Sequence, residues 1–454
     1  MGIMKYLEQS KTVVLIILVG LSILLTFSIW SYHPNYEKVE KPEPAGVLMD
    51  KKRTLPEIIQ PARLLIHQEG DWRGTIDTEE MAPLFTEMKK WQLTDISTVS
   101  SNFNLQKLND QLLVDQRIVL QFDGEVPMPV FQSLLPVTSK KVPEINFDQV
   151  IISWSTEESD IPKNELTILF SNVKQKQLYR GKVKVKSENG FKNDVLGSFQ
   201  DLASYEPIQR DNANTLFLPT QTQKLTQYKY LISAISIEDF KNALFTMPGI
   251  VKMSPDLEAG IDKYTDDKSI MTIDKNRYLA TFVDATATEN QENIQKSNLI
   301  ASTFNFINLH GGWTGDYRYA NVDYNAQEVV YQLYIENLPV LKTDLGTAKI
   351  EAFWGNGRIY RYIRPTYKLA YLPQEENKEI KLISGIDVVQ KLMASNEIDF
   401  NKITALRVGL TMKQDEGRSS IYLFEPTWFY RLDGVWYPIN PKDAQVGGDT
   451  DGLE

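Results

Sequence analysis

The chain has 454 residues, with 49 Lys and Arg against 59 Asp and Glu, for a formal charge of −10. That acidic balance gives no electrostatic reason to bind nucleic acid or to lie flat on anionic lipid. The absence of cysteine excludes disulfides, thiolate metal sites and cysteine nucleophiles, so stability must come from buried apolar area, for which 42% hydrophobic residues suffice.

Residues 1–11 form a short tail carrying Lys5 and Lys11 against Glu8. An uncharged apolar run, Thr12 to Trp30, follows. At about 1.5 Å rise per residue it predicts a helix just long enough to cross a hydrocarbon core of about 30 Å. Positive charge before the run, and Trp30, Tyr32 and Tyr36 after it, orient the N-terminus to the cytoplasm and the bulk of the chain outside. A cleaved signal peptide fits less well, because Trp30 and Tyr32 would crowd a peptidase pocket where small residues are required. Residues 12–31 therefore read as a single transmembrane signal anchor, and the protein as a single-pass cell-membrane protein. Within that helix Gly20, Ser22, Thr26 and Ser28 are the small and hydroxyl residues that let another membrane helix approach closely. Ser22 and Thr26, four apart, share a face.

Residues 32–61 carry Pro34, Pro42, Pro44, Pro56 and Pro61 among mixed charges, the composition of an extended stalk. Lys51, Lys52 and Arg53 read as a solvated turn. An N-terminal α/β domain is expected over 62–205, with strands at Ala62–Ile66, Arg117–Phe122, Val150–Trp154 and Leu166–Phe170. Its helices are expected at Thr78–Trp91 and Val126–Leu135. The first is capped by Thr78 and carries a core stripe of Met81, Leu84, Phe85, Met88 and Trp91. A central α/β domain over 206–295 would hold a strand at Leu225–Ala234, a helix at Ile237–Phe245 and a hairpin turned at Asp274-Lys275-Asn276. A long helix over Glu289–Leu309, stopped by Gly311-Gly312, leads into a strand-rich C-terminal domain over 296–442. There Trp354-Gly355-Asn356-Gly357-Arg358 signals a hairpin and Ile386–Met393 a helix, and residues 443–454 form an acidic tail.

Catalytic signatures fail one by one. His310-Gly311-Gly312 resembles part of an oxyanion hole, but no G-x-S-x-G accompanies it; a helix C-terminus with glycines as its stop explains the run. Ser171-Asn172-Val173-Lys174 matches S-x-x-K, yet it ends a strand rather than opening a helix. Gly355-Asn356-Gly357 lies in a hairpin and cannot present a helix N-terminus to phosphate. Asp449-Thr450-Asp451-Gly452 begins like a calcium loop but lacks the closing acid. The pairs Asp266-Asp267 and Glu375-Glu376 read as surface charge. No catalytic, cofactor-binding or metal-ligating residue is assigned, and no cofactor is expected.

Three stretches nevertheless carry a resemblance. They are Leu24 to Tyr36 at the membrane exit; Phe306-Ile307-Asn308-Leu309-His310-Gly311-Gly312-Trp313 leading to Val330–Val340; and Tyr360-Arg361-Tyr362-Ile363-Arg364-Pro365 with Glu425-Pro426-Thr427-Trp428-Phe429-Tyr430. In that order, and with this topology, the chain resembles the YycH (WalH) family of low-GC Gram-positive bacteria. Asn337-Leu338-Pro339-Val340 departs from the Gly-x-Pro-Val expected there. The resemblance implies an α+β protein: one transmembrane helix, then an extracytoplasmic three-domain mixed α/β region with antiparallel sheets, its last two domains like those of the companion protein YycI. It also implies a non-catalytic regulator of a YycG/WalK-like sensor histidine kinase governing cell-wall metabolism. Its partners would be that kinase and a YycI-like protein, reached through transmembrane helices. The competing class is an extracytoplasmic binding module that senses a cell-wall precursor or peptide. A wall hydrolase has no residue to support it.

Overall fold

A computed structural model describes residues 18–22, 50–138, 142–154, 165–185, 190–210, 213–287, 296–372, 377–395 and 398–446. The chain divides into two units, residues 1–43 and 44–454. In the first, residues 18–22 are helical and the remainder of the expected anchor, 12–31, lies outside the described residues. Among the described residues no helix is long and apolar enough to cross a membrane.

The second unit is built on two sheets. The first comprises β1 (Arg63–Gln68), β2 (Asp71–Thr75), β3 (Gln92–Ser100), β4 (Arg117–Pro127), β5 (Asn146–Ser153), β6 (Glu165–Asn172), β7 (Gln177–Lys184), β8 (Ala203–Ile208) and β9 (Leu216–Pro219). Their order is β3-β7-β6-β5-β4-β1-β2-β8-β9. Its central strands are apolar at consecutive positions because both faces are covered. Leu64, Ile118, Leu120, Val150, Ile152 and Phe170 share one core with the helix α2 described below, while Leu65, Val119, Ile151 and Leu169 pack with α3 on the other.

The first helix, α1 (Leu55–Ile58), falls where an extended stalk is expected to continue to Pro61. Pro56 sits in its first turn, where proline costs nothing, and Ile58 and Ile59 are fully buried. Burying each such side chain is worth about 1.5–3 kcal/mol, which outweighs the preference of a proline-rich run for extension. The folded unit therefore begins some ten residues before Pro61. Helix α2 (Thr78–Met88) is capped not by Thr78 but by Asp77, whose Oδ1 accepts from Glu79 N–H at 2.8 Å. It stops short of Trp91, which is buried all the same. Helix α3 (Leu105–Leu112) was not anticipated. Where a helix was expected over Val126–Leu135, β4 runs on to Pro127 and only α4 (Met128–Phe131) is helical, because Pro127 is held in extended backbone.

The second sheet has fifteen strands: β10 (Gln223–Ala234), β11 (Lys252–Asp256), β12 (Ile261–Thr265), β13 (Ser269–Asp274), β14 (Leu279–Asp284), β15 (Asp316–Asp323), β16 (Glu328–Ile335), β17 (Leu338–Thr343), β18 (Lys349–Gly355), β19 (Arg358–Pro365), β20 (Tyr367–Tyr371), β21 (Lys378–Leu382), β22 (Ala405–Asp415), β23 (Arg418–Leu432) and β24 (Val435–Pro438). The main path is β11-β12-β13-β14-β19-β18-β16-β17-β22-β23-β10-β20, with β15, β21 and β24 as side pairings. Pairings between these strands are antiparallel except β17 with β22. Strands of the stretches 206–295 and 296–442 are thus hydrogen-bonded into one sheet. Both expected hairpins form: β13–β14 turns at Asp274, whose carboxylate accepts from Asn276 and Arg277 N–H, and β18–β19 turns with Asn356 and Gly357 at φ of 50° and 73°.

Helices α5 (Ile237–Leu244) and α6 (Lys296–Leu309) pack on this sheet over a core rich in buried aromatics, among them Trp313, Tyr317, Tyr331 and Tyr362. Helix α7 (Gly385–Ser395) closes a separate core with Leu216 and Leu218 of β9 and Trp428 of β23. The two sheets are joined through these shared cores.

Candidate functional site

Of the four residues singled out in the apolar run, Gly20 and Ser22 lie in the helical residues 18–22 and are exposed. Thr26 and Ser28 lie outside the described residues. The folded unit carries two further sites, both nucleated by backbone irregularities.

The first is where the chain enters the folded unit. Asp50 N–H donates to Gly311 O at 3.1 Å, and Trp313 N–H donates to Lys51 O at 3.4 Å. Between them, Gly312 has φ +71°, and a Cβ there would stand 2.6 Å from Asp50 O. The glycines therefore do more than stop α6: they let residues 50–51 lie against the turn. Asn308, in the last turn of α6, clasps Arg53 from both sides: its Oδ1 accepts from Arg53 N–H, its Nδ2 donates to Arg53 O, both at 3.0 Å, and Oδ1 also accepts from Trp313 Nε1–H at 2.8 Å. The Arg53 guanidinium reaches Asp316 Oδ1 at 2.8 Å and Tyr317 O at 3.1 Å. Arg53 is thus a half-buried anchor and not part of a solvated turn. Beside it, the Thr54 N–H bond to Glu57 Oε2 holds the Glu57 carboxyl below its ordinary range.

From this clasp a chain of hydrogen bonds crosses the molecule. Arg318 donates to Asp316 Oδ2 through Nε at 3.0 Å and a terminal nitrogen at 2.7 Å, and the latter also reaches Asn337 Oδ1 at 2.8 Å. Asn337 Nδ2 donates to Asp77 Oδ1 at 3.1 Å, and Thr78 Oγ1 donates to Asn337 Oδ1 at 3.1 Å, so the amide ties the β16–β17 turn to the cap of α2. Asn337 sits at φ 64°, which Asn tolerates better than most residues, and it stands in place of the glycine expected there from the resemblance. Glycine would keep the turn and lose all three side-chain bonds. Arg318 also lies 4.5 Å over the ring of Tyr334, whose hydroxyl donates to Asp123 Oδ2 at 2.8 Å. Asp123 accepts from Arg407 at 2.8 and 3.0 Å. Burial works against the Arg407 charge, but Asp123 and Tyr334 overcome it and hold the guanidinium above its ordinary value.

Asp123 belongs to the second site. The register of β4 against β5 slips between Gln121 and Val126, so the residues between them bulge out of the ladder. Gly124 at its centre touches β15: a Cβ there would lie 2.6 Å from Ala320 O, and Tyr319 Oη donates to Glu125 O at 2.5 Å. The bulge walls a cleft of about 710 Å³ between the two sheets. Asp148 on β5 faces it beside Glu125, with Val173 N–H donating to its carboxylate at 3.2 and 3.3 Å. Burial, aided by the Glu125 charge and opposed by that N–H, pushes the Asp148 carboxyl up to about 7. Glu125 accepts from Gln175 Nε2 at 2.9 Å. Arg63, on β1 beside β4, also lines the cleft and donates to Phe217 O.

The discarded motifs fall where their local chemistry puts them. His310 stacks on Phe306 at 4.0 Å and its Nδ1 lies 2.8 Å from Phe306 O. Ser171 is buried in β6 against Gln149, and Lys174 is exposed in the following turn. Asp266 accepts from Lys268 and Ser269 N–H in a turn. Glu375, Glu376 and Asp449 to Gly452 lie outside the described residues. Among the described residues no group of three or more potential ligands gathers to hold a metal. Sequence reasoning missed Arg53, Asp316, Arg318, Asn337, Asp123, Arg407 and Asp148. One signal was available: Asp123-Gly124-Glu125 interrupts an apolar strand with glycine, the mark of a bulge.

Comparison with known proteins bears on both sites. A curated relative, the "Two-component system WalR/WalK regulatory protein YycH" of Bacillus subtilis (strain 168), is 22% identical over 98% of this chain and 99% of its own length. The crystal structure of YycH from Bacillus subtilis matches with a TM-score of 0.70 at 19% identity, covering 87% of this chain and 99% of that one. An uncharacterized protein from Eubacterium rectale ATCC 33656 matches at TM-score 0.30 and 9% identity over 55% of this chain. The sequence matches the family "YycH protein, N-terminal domain" over residues 8–196 and "YycH protein, C-terminal domain" over residues 213–444. The cleft lies at the junction of these two matched regions, and the chain belongs to the YycH family.

Proposed function

We propose that the protein is a non-catalytic, membrane-anchored regulator of a WalK/YycG-like sensor histidine kinase in a WalR/WalK-type two-component system that controls cell-wall metabolism. It is held by residues 12–31 with its N-terminus in the cytoplasm, and it acts through helix contacts at Gly20, Ser22, Thr26 and Ser28 together with a YycI-like partner. The clasp at residues 50–53 carries this reading. Whatever the N-terminal segment transmits enters the folded unit through the backbone at Asp50, and there the chain is fixed by seven hydrogen bonds to Asn308, Gly311, Trp313, Asp316, Tyr317 and, within the segment, Glu57. A tether meant only for attachment needs no such fastening. The description of the curated relative as a regulatory protein supports a role without catalysis.

In lipid no hydrophobic force draws helices together, so close packing at small and hydroxyl residues decides association. A kinase whose two states differ by a few kcal/mol is biased by an added helix in proportion to the difference in its affinity for them. Replacing Ser22 and Thr26 together by Leu is expected to reduce association with the kinase in a membrane two-hybrid assay to background. Undiminished association of that variant would overturn the helix-contact reading.

A further inference from the structure

We propose that the cleft between the two sheets is a binding site for a short peptide with a free amino group, the ammonium seated between Glu125 and Asp148 and a peptide carbonyl oxygen on Arg63 and Thr215. This goes beyond regulation through the membrane helix and stands on different atoms.

Two observations point the same way. On one wall, Glu125 and Asp148 are adjacent carboxyls, and among the described residues neither forms an ion pair; their partners are the Gln175 amide and the Val173 N–H. The Asp148 carboxyl is pushed up to about 7 by burial and by Glu125, so a cation placed beside it would favour its charged form. Elsewhere in the lining, on β1 and just before β9, two buried polar atoms have no hydrogen-bond partner among the described residues: Arg63 Nε and Thr215 Oγ1. Thr215 is 5% exposed, and its own N–H is used by Asn109 Oδ1 at 3.2 Å, so the hydroxyl alone is left over. Orphaned buried donors are destabilising, and a ligand that completes them recovers that loss on binding. Lys174 also lines the cleft, but among the described residues it forms no ion pair with either carboxyl, so the two carboxyls lack a cation and the two orphaned groups lack an acceptor. An amine-bearing peptide supplies both.

The volume agrees. About 710 Å³ falls within the roughly 300–1,000 Å³ of small-molecule sites. Trp436 also lines the cleft and offers an apolar face to a side chain of the peptide. The bulge that carries Glu125 is fixed by the Tyr319 hydroxyl, so the acidic wall is in place before any ligand arrives.

The test is calorimetric titration of the full chain in detergent micelles with trialanine and with N-acetyl-trialanine. Saturable binding of trialanine with a Kd under about 1 mM, weakened at least about tenfold by acetylation, is expected. Asp148→Asn and Glu125→Gln should each weaken trialanine to a similar extent. Thr215→Val should weaken it while raising the thermal midpoint of the empty protein, because the orphaned hydroxyl is gone. No saturable binding, equal binding of the two peptides, or undiminished binding by both carboxyl variants would each overturn the proposal. The two-peptide comparison uses the unaltered protein, so it decides the matter even if a variant fails to fold.

Discussion

The clasp at the entry of the chain and the cleft between the sheets are both polar and both lie where distant segments meet, yet they are finished to different degrees. In the clasp, Arg53, Asn308, Asp316, Arg318 and Asn337 form a continuous set of short bonds. In the cleft, Arg63 Nε and Thr215 Oγ1 are left without partners and Asp148 faces Glu125 without a cation. A satisfied network holds one geometry, since any displacement breaks several bonds at once. An unsatisfied one stores the free energy that a ligand can collect. The contrast separates a fixture from a receptor within one polypeptide, and Asp123 connects them: through Tyr334 and Arg318 it reaches the clasp, and with Glu125 it flanks the cleft.

Removing that connection should produce the largest effect. Asp123→Ala leaves Arg407, 7% exposed, without its carboxylate, and breaking one side of such a pair costs about 3 kcal/mol or more. Chemical denaturation should show this loss of stability. An unchanged midpoint would mean that Arg407 finds water or another acceptor and that the two sites are not joined. Next comes Gly312→Ala, which touches the clasp alone. Its Cβ would lie 2.6 Å from Asp50 O at a φ of +71°, and it should cost about 1–3 kcal/mol. Limited proteolysis should then cut near residues 50–53 while the remainder stays resistant; protection equal to that of the unaltered protein would show that the clasp tolerates the shift.

The third test reads the cleft through pH and leaves the clasp untouched. Asp148 has its carboxyl raised from an ordinary value of 3.8 to about 7 in the folded protein. Below about pH 4 both states hold the proton and the group contributes nothing to the pH dependence. Between 4 and 7 the unfolded chain has lost it and the folded one has not, so stability falls as pH rises, and it levels off above 7. Asp148→Asn should flatten this decline in the thermal midpoint measured from pH 4.5 to 7.5. A decline of the same slope in the variant would assign it to other groups.

Much of the architecture could be read in advance because its determinants are local. Asn356-Gly357 needs positive φ at both positions, which few other pairs supply, and the stripe from Met81 to Met88 faces one core. The residue runs that suggested the family include the Asn308 to Trp313 segment that became the clasp, although its task was invisible. What escaped detection depends on partners far away in sequence. Nothing near Arg53 announces Asp316, 263 residues on. Pro56 and Pro61 argued for extension, and the buried Ile58 and Ile59 overruled them. Asn337 looked like a mere departure from glycine, because its value lies in reaching Asp77 across 260 residues. Asp123-Gly124-Glu125 was the exception: its signal was local and went unread.

The clasp also has a place in time. Arg53 leaves the ribosome 255 residues ahead of Asn308, so the segment that closes the entry of the folded unit is among the first made and must wait for most of the chain before it can dock. At synthesis rates of about 5–20 residues per second that wait is on the order of tens of seconds. Until it ends, residues 50–53 are without the partners that fasten them; once it ends, the fastening itself certifies that the second sheet has reached β15. A chain truncated or stalled before Asn308 would have nothing to hold residues 50–53, so completion of most of the folded unit is written into the bond that secures its first residues.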